Sequence, residues 1–176
     1  MSTDPNASAI VPTANSEIRR EPRTDVEYAG FWIRVAATLI DTALVLVVTF
    51  PLLLAIYGWT YYKGGREGFI AGPADFMISW LAPAAASILF WLSRQATPGK
   101  MAVSARVVDA RTGKTLTVGQ SIVRYLGYFV SALPLGLGFV WVAFDARKQG
   151  WHDKLAGTVV VRSRGSGTKP VVFDKA

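Results

Sequence analysis

Six side chains of this sequence could carry charge or protons through an apolar setting: Arg34, Asp41, Arg124, Asp145, His152 and Asp153. Arg34 and Asp41 stand inside "FWIRVAATLIDTALVLVVTFPLLLAIY", residues 31–57, which otherwise reads as a membrane-spanning helix. A charged group in hydrocarbon costs on the order of a few kcal/mol, so each of these residues needs a reason to be there. Seven residues turn a helix by about 700°, which puts Arg34 and Asp41 nearly on one face and roughly 10 Å apart along the axis. Arg34, near the start, can snorkel to the surface. The short side chain of Asp41 cannot, and at about 13 Å below Trp32 it is placed close to mid-membrane. It must be neutralised, paired, or turned toward a wet cavity. Its charge partners within reach are Arg34 and Arg124, the latter at the start of the last apolar run. Two chemistries fit: a carboxylate that binds a proton or a cation, and a buried ion pair that holds helices in register.

The second acidic group lies in "FDARKQGWHDKLAGT", with Asp145, His152 and Asp153. His152 beside Asp153 invites a metal or hydrolase reading. A metal centre needs three or four convergent ligands, and the chain has one histidine and no cysteine. The expectation is therefore no metal, no cofactor and no enzyme, with Asp153 capping a helix or pairing with the basic residues around it. "RTGKT" (111–115) imitates the end of a phosphate loop, but Val108 stands where that loop needs its glycine.

These residues must be positioned by membrane elements. The chain has 176 residues, 51% hydrophobic and 18% charged. The apolar residues are pooled into long runs, about 31–57, 76–93 and 121–145, rather than spread at amphipathic spacing. The first 27 residues are polar, contain three prolines and lack the pattern of a secretory signal, which predicts a disordered cytoplasmic tail and an uncleaved first helix. The net charge of +7 comes from basic residues flanking the apolar runs, which is a membrane-orientation pattern and argues against nucleic acid as a partner.

Only Lys63 and Arg66 lie between the first two runs, whereas 93–120 and 145–176 hold 12 of the 19 basic residues. Lys and Arg accumulate on the cytoplasmic side. The N-terminus and 93–120 are therefore expected inside. A single crossing by the last run would put the most basic segment outside. Pro134, Gly136 and Gly138 interrupt that run and favour a helical hairpin that enters and leaves on one side, over a plain third span. The cytoplasmic segment 100–118 alternates and reads as a β-hairpin turning near Gly113, and 157–163 reads as a strand that pairs with it. Residues 164–176 read as a flexible tail. The predicted fold class is an α-helical integral membrane protein with two spanning helices, a C-terminal hairpin or third span, and a small cytoplasmic sheet.

In these residues and their order the chain resembles a known family. "GFWIRVAATLID", "TPGKMAVSARVVDARTGKTLT", "SIVRY" and "DARKQGWHDKLAGTVVV", in that order over residues 28–163, are similar to the RDD family of small bacterial membrane proteins. That family is named for one arginine and two aspartates. The resemblance places them at Arg34, Asp41 and Asp153, the last chosen over Asp145. It implies a multi-pass protein of the bacterial inner membrane, in a family for which transport of ions or small ligands has been proposed. The reading that follows is a proton- or cation-linked transporter with Asp41 as its ion site and Arg34 and Arg124 as charge partners. So few spans cannot easily enclose a pathway, so a homo-oligomer or a partner membrane subunit is expected besides the lipid bilayer. The rival is a non-transporting accessory module that docks a partner through its cytoplasmic face.

Overall fold

The computed structural model describes residues 22–64, 70–163 and 170–173. Strand β1 (Pro22–Tyr28) leads into α1 (Phe31–Tyr57). Helix α2 (Pro73–Arg94) returns antiparallel to it and widens into a π-helical turn at Met77–Leu81. A short helix α3 (Pro98–Ala102), strand β2 (Ala105–Asp109) and α4 (Val118–Ala132) follow. Then come α5 (Leu137–Ala143), α6 (Trp151–Ala156), β3 (Thr158–Ser163) and β4 (Pro170–Val172).

Both α1 and α2 are long and apolar enough to cross a membrane. α1 is rich in valine, a mediocre helix former. A helix still follows wherever backbone groups have no water to bond, because it satisfies them within the segment. At about 1.5 Å per residue α1 is roughly 40 Å long. Leu39, Leu44, Val47, Val48, Leu52 and Ile56 all point outward. A face of that kind is not a soluble protein's surface.

The last apolar run is not one straight helix. α4 and α5 meet at an angle of 113° across Leu133–Gly136, where Leu135 and Gly136 take left-handed backbone angles and Pro134 cannot continue the α4 hydrogen bonding. By length α4 reaches about 22 Å and α5 about 10 Å, short of a bilayer's hydrocarbon thickness of about 30 Å.

The sheet is antiparallel in the order β2-β3-β1-β4. Val107 faces Val160 and Val108 faces Val159. The two-residue period sends these side chains to opposite faces. Ala29, Val107 and Val160 pack with Trp91 and Leu116 toward the helices, while Val26, Val108, Val159, Val161, Val171 and Phe173 form a second cluster on the other face.

The fold departs from the sequence expectation in three places. The 100–118 hairpin does not form: residues 98–102 are helical, and only Ala105–Asp109 is a strand. Its expected second strand fails because Thr117 is committed to a capping box. The Thr117 hydroxyl accepts from the Gln120 amide (3.2 Å) and the Gln120 side chain accepts from the Thr117 amide (3.0 Å). β2 therefore pairs with β3, which the sequence did anticipate. Second, the N-terminal tail expected to run through residue 27 gives up Pro22–Tyr28 to β1, and residues 1–21 lie outside the described residues. Third, the tail expected from 164 contributes Pro170–Val172 as an edge strand, with residues 164–169 and 174–176 likewise outside the described residues.

Candidate functional site: a buried charge lock and a neutral clasp

The charges gather at the sheet end of the helices, in two separate sites. The first is built on Asp153. Its residue sits in the first turn of α6, where its Oδ2 accepts from the Gly150 amide (2.9 Å) and so caps its own helix. The same oxygen accepts from Arg34 Nη1 of α1 (2.5 Å), and Oδ1 accepts from Arg124 Nη1 of α4. Arg124 also donates to the Thr158 hydroxyl at the start of β3 (2.5 Å), and Arg34 donates to the carbonyls of Lys148 (2.5 Å) and Ala29 (3.1 Å). Asp153 and Arg124 are fully buried. The Arg124 guanidinium lies 5.3 Å from the Trp91 ring centroid and 5.9 Å from that of Tyr128, which adds cation–π attraction. Residues from α1, α4 and α6 are thus tied through one carboxylate, and β3 is joined to them through Arg124. Burial alone would push the Asp153 carboxyl up; the two guanidiniums overcome it and hold it well below the usual carboxylate range.

His152 belongs to the same cluster. Its Nδ1 lies 3.2 Å from Ser131 Oγ, and its Nε2 lies 3.6 Å from Asp153. Serine, histidine and aspartate are adjacent here, but all three are buried and Ser131 Oγ also accepts the His152 amide (3.1 Å). That is a packing role. Burial first, and then the positive charges of Arg124, Arg34 and Lys100, push the imidazole down to about 3, against the pull of Asp153. α6 can lie this close to α4 because residue 127 is glycine: a Cβ there would stand 2.8 Å from His152 Cα.

The second site is built on Asp41, and neither arginine is in it. Its carboxylate accepts from the Thr97 hydroxyl (2.5 Å) and from the Gly99 amide (2.7 Å). Thr97 is the N-cap of α3 and Pro98 opens that helix. Asp41 therefore supplies from α1 the acceptor that the first turn of α3 needs. The contact is close: a Cβ on Gly99 would stand 2.0 Å from the Ala37 carbonyl oxygen. Lys100 is buried behind it, its Nζ 3.4 Å from the Thr97 hydroxyl.

Arg34 and Arg124, expected as partners of Asp41, are drawn to Asp153 instead. The depth expected for Asp41 also changes. Thr97 follows closely on the end of α2 at Arg94, so Asp41 stands level with that end and not midway along the helix pair. Ile33 of α1 packs on the sheet-side core and the Ala37 carbonyl meets Gly99 of α3, so the charged start of α1 belongs to this end. Asp145, the other acidic candidate, holds the turn after α5 by accepting the Arg147 and Gln149 amides (3.0 and 3.1 Å) and pairs with Lys154.

A third polar cluster, at the far end of the helix pair, escaped the sequence reading. Buried Asp75 accepts from the Tyr61 hydroxyl, the Ser79 hydroxyl and the Ala71 amide, each at 2.8 Å, while its own amide donates to the Tyr57 hydroxyl (3.1 Å). "GPADF" carries the signal: proline and an acidic residue mark a helix start, and Tyr57, Tyr61 and Tyr62 stand just before it at the end of an apolar run. Among the described residues, a cavity of about 40 Å³ lies against the sheet, lined by Val108, Gly113 and Phe173 among others. It has room for water and not for a substrate.

A family model, the RDD family, matches residues 28–157 of this sequence. The chain belongs to the RDD family. Its sequence is 29% identical to the uncharacterized protein YxaI of Bacillus subtilis over 156 residues, 76% of this chain and 96% of that protein. It is 30% identical to the uncharacterized membrane protein YteJ of the same organism over 140 residues, 78% of this chain and 82% of YteJ. The match to uncharacterized protein RP437 of Rickettsia prowazekii is 40% identical over 76 residues, and spans 42% of that protein. No solved structure matches the chain. In this RDD-family chain the arginine and two aspartates marked by the resemblance therefore fall into two sites: Arg34 with Asp153, and Asp41 apart from both.

Proposed function

We propose that this is a multi-pass protein of the bacterial inner membrane whose charged residues brace a cytoplasmic platform, and that it works as a membrane-bound accessory module docking a partner through that platform. The observation that carries the reading is where the membrane-level charges are spent. Both arginines close on Asp153, and Asp41 caps α3, so each charge fastens the sheet layer to the helices. Charges used this way explain why the chain keeps them without any solute crossing. The bent α4–α5 pair is read as a hairpin that returns to the cytoplasmic side, which keeps the basic segment 145–176 inside. The N-terminus is then cytoplasmic and 58–75 faces outward.

A second reading is favoured by one observation. Thr97 Oγ accepts from Lys100 and donates to Asp41, a donor–acceptor chain between two titratable groups, of which Asp41 is not tied to an arginine. Proton- or cation-linked transport through Asp41 would use that chain. The described helices of one copy enclose no pathway, so transport would need a homo-oligomer or a partner membrane subunit.

One experiment separates the two. Purified protein is reconstituted into liposomes and the decay of imposed proton and Na⁺ gradients is measured. The accessory reading expects decay no faster than in empty liposomes. Faster decay that disappears in Asp41→Asn would overturn it and establish transport.

A further inference from the structure

We infer that Trp32, Trp141, Phe144, Arg147 and Lys148 form a site for the phosphate headgroup of an anionic phospholipid at the sheet end of the helices. The inference rests on the membrane placement proposed above, and on geometry of its own. Arg34, in the first turn of α1, donates to the Lys148 carbonyl at 2.5 Å, which fixes the start of α1 and the turn after α5 at one level. Around that level the large aromatic side chains point outward. Trp32 is 78% exposed, Phe144 80% and Trp141 45%. Amphipathic aromatic rings of this kind sit at headgroup depth.

The charge at this level is one-sided. Lys154 is neutralised by Asp145 and lies over the Trp141 ring, 5.6 Å from its centroid. Arg147 and Lys148 have no acidic partner among the described residues. The Lys148 ammonium donates to the Ala143 carbonyl (2.9 Å), and two of its three N–H groups remain. Directly beneath, two guanidiniums share the single carboxylate of Asp153, which leaves the lock with a net positive charge. Arg34 is the member of that lock nearest the surface, with 12% of its side chain exposed. A phosphodiester at the rim would compensate this excess. A zwitterionic headgroup would bring its own cation and compensate it poorly. Asp145 contributes geometry: by accepting the Arg147 and Gln149 amides it folds the turn that carries Arg147 and Lys148.

The test uses the full chain purified in detergent, with native mass spectrometry and thermal melting after adding phosphatidylglycerol, phosphatidylcholine or inorganic phosphate. Phosphatidylglycerol is expected to be retained and to raise the melting temperature, and the other two are not. A basic residue near an anionic surface contributes about 1 kcal/mol, so removing both charges in Arg147→Gln/Lys148→Gln should weaken phosphatidylglycerol retention about thirtyfold. The same two-charge change at the sheet turn, Arg111→Gln/Lys114→Gln, should leave it unchanged. Equal retention of both lipids, or equal loss in the two double variants, would overturn the inference. Protection by inorganic phosphate alone would assign the charge to a free anion and overturn the lipid. Retention of neither lipid by protein that stays soluble without detergent would instead defeat the membrane placement. Should the Arg147/Lys148 variant fold poorly, quenching of wild-type tryptophan fluorescence decides: brominated phosphatidylglycerol must quench more strongly than brominated phosphatidylcholine, and equal quenching counts against the site.

Discussion

Asp41 and Asp153 are the same residue type, both near the sheet end of the helices, and they are held in opposite ways. Asp153 is fully buried between two guanidiniums, and its carboxylate joins α1, α4 and the start of its own helix α6. Asp41 is half-buried and receives a hydroxyl and a backbone amide. The difference follows from burial. A carboxylate removed wholly from water loses more solvation than neutral donors restore, and cations in contact are the available compensation. A carboxylate at an edge keeps part of its solvation, and two ordinary donors suffice. Sharing a helix face with an arginine therefore does not make an ion pair; the deeper anion takes the cation.

That comparison is broken most sharply by removing each carboxylate in turn. Asp153→Asn leaves Arg34 and Arg124 buried without a countercharge, and breaking a buried pair costs about 3–5 kcal/mol. The variant should express poorly and melt far below the wild type in detergent. A replacement of the whole lock, Arg34→Met, Arg124→Met and Asp153→Leu together, should recover much of that loss, because it removes the unpaired charges as well as the pairing. A triple variant no better than Asp153→Asn would mean that the lock does more than balance charge.

The pattern of what was legible in the sequence has the same cause. Arg34, Arg124 and Asp153 stand out by type, since charge in or beside an apolar run needs explanation from composition alone. Their pairing is set by tertiary contacts between residues 119 positions apart for Arg34 and Asp153, and helical periodicity carries no information about those. The β2–β3 pairing is readable because both strands carry consecutive β-branched valines, Val107–Val108 and Val159–Val161, bounded by turn residues. The failed hairpin rests on the alternation of Thr115, Leu116, Thr117 and Val118, but the capping box at Thr117 competes for that backbone and wins locally. Thr97, Gly99 and Lys100 were passed over although "TPGK" is a helix-start signal, because the acceptor that completes the cap comes from a distant helix.

The next largest effect is a pH slope confined to the Asp153 side. His152 is held neutral by burial, its folded value about 3 against about 6.5 unfolded. Between those values the unfolded chain binds a proton that the folded chain does not. Stability is therefore complete above about pH 6.5 and falls as pH is lowered, by roughly 3 kcal/mol at pH 4 at 1.36 kcal/mol per unit. Because the chain has a single histidine, melting curves in His152→Gln should lose this slope between pH 6.5 and 4. Asp153 adds its own loss only at still lower pH, since its carboxyl is held below the usual range. Asp41→Asn should leave the slope in place, and a slope that moved with Asp41 would mean the two sites are one.

On the Asp41 side the backbone contact is more demanding than the charge. Gly99→Ala puts a methyl group 2.0 Å from the Ala37 oxygen and 2.8 Å from Asp41 Cγ. Backbone must move to admit it, and overpacking of this kind costs about 1–3 kcal/mol. The movement also separates Asp41 from the Gly99 amide. Thermal melting should show a clear loss for Gly99→Ala and a smaller one for Gly99→Ser only if the hydroxyl finds a partner. An unchanged melting temperature would show that α3 does not bear on α1.

Asp41→Asn should have the smallest effect on stability, and it separates the two functional readings. Asparagine keeps the size of aspartate and one oxygen acceptor. It can hold either the Thr97 hydroxyl or the Gly99 amide, so one charge-assisted hydrogen bond is lost, worth about 1.5–3 kcal/mol, and part of that returns because no charge remains to be solvated. A net loss of about 1 kcal/mol is expected, well below that of Asp153→Asn. No arginine is stranded, since neither Arg34 nor Arg124 depends on Asp41. Lys100 and Asp41 share Thr97 as a hydrogen-bond partner, so Lys100→Met combined with Asp41→Asn should depart from the sum of the two single melting shifts in either reading. Gradient decay decides between them. If Lys100, Thr97 and Asp41 relay a proton or cation, decay in liposomes should vanish in each single variant while the fold persists. Liposomes that hold their gradients in the wild type leave Asp41 as a clasp between α1 and α3. Asp41-dependent decay makes it an ion site, whose fastening to α3 is then the means by which an occupied carboxylate moves the sheet layer.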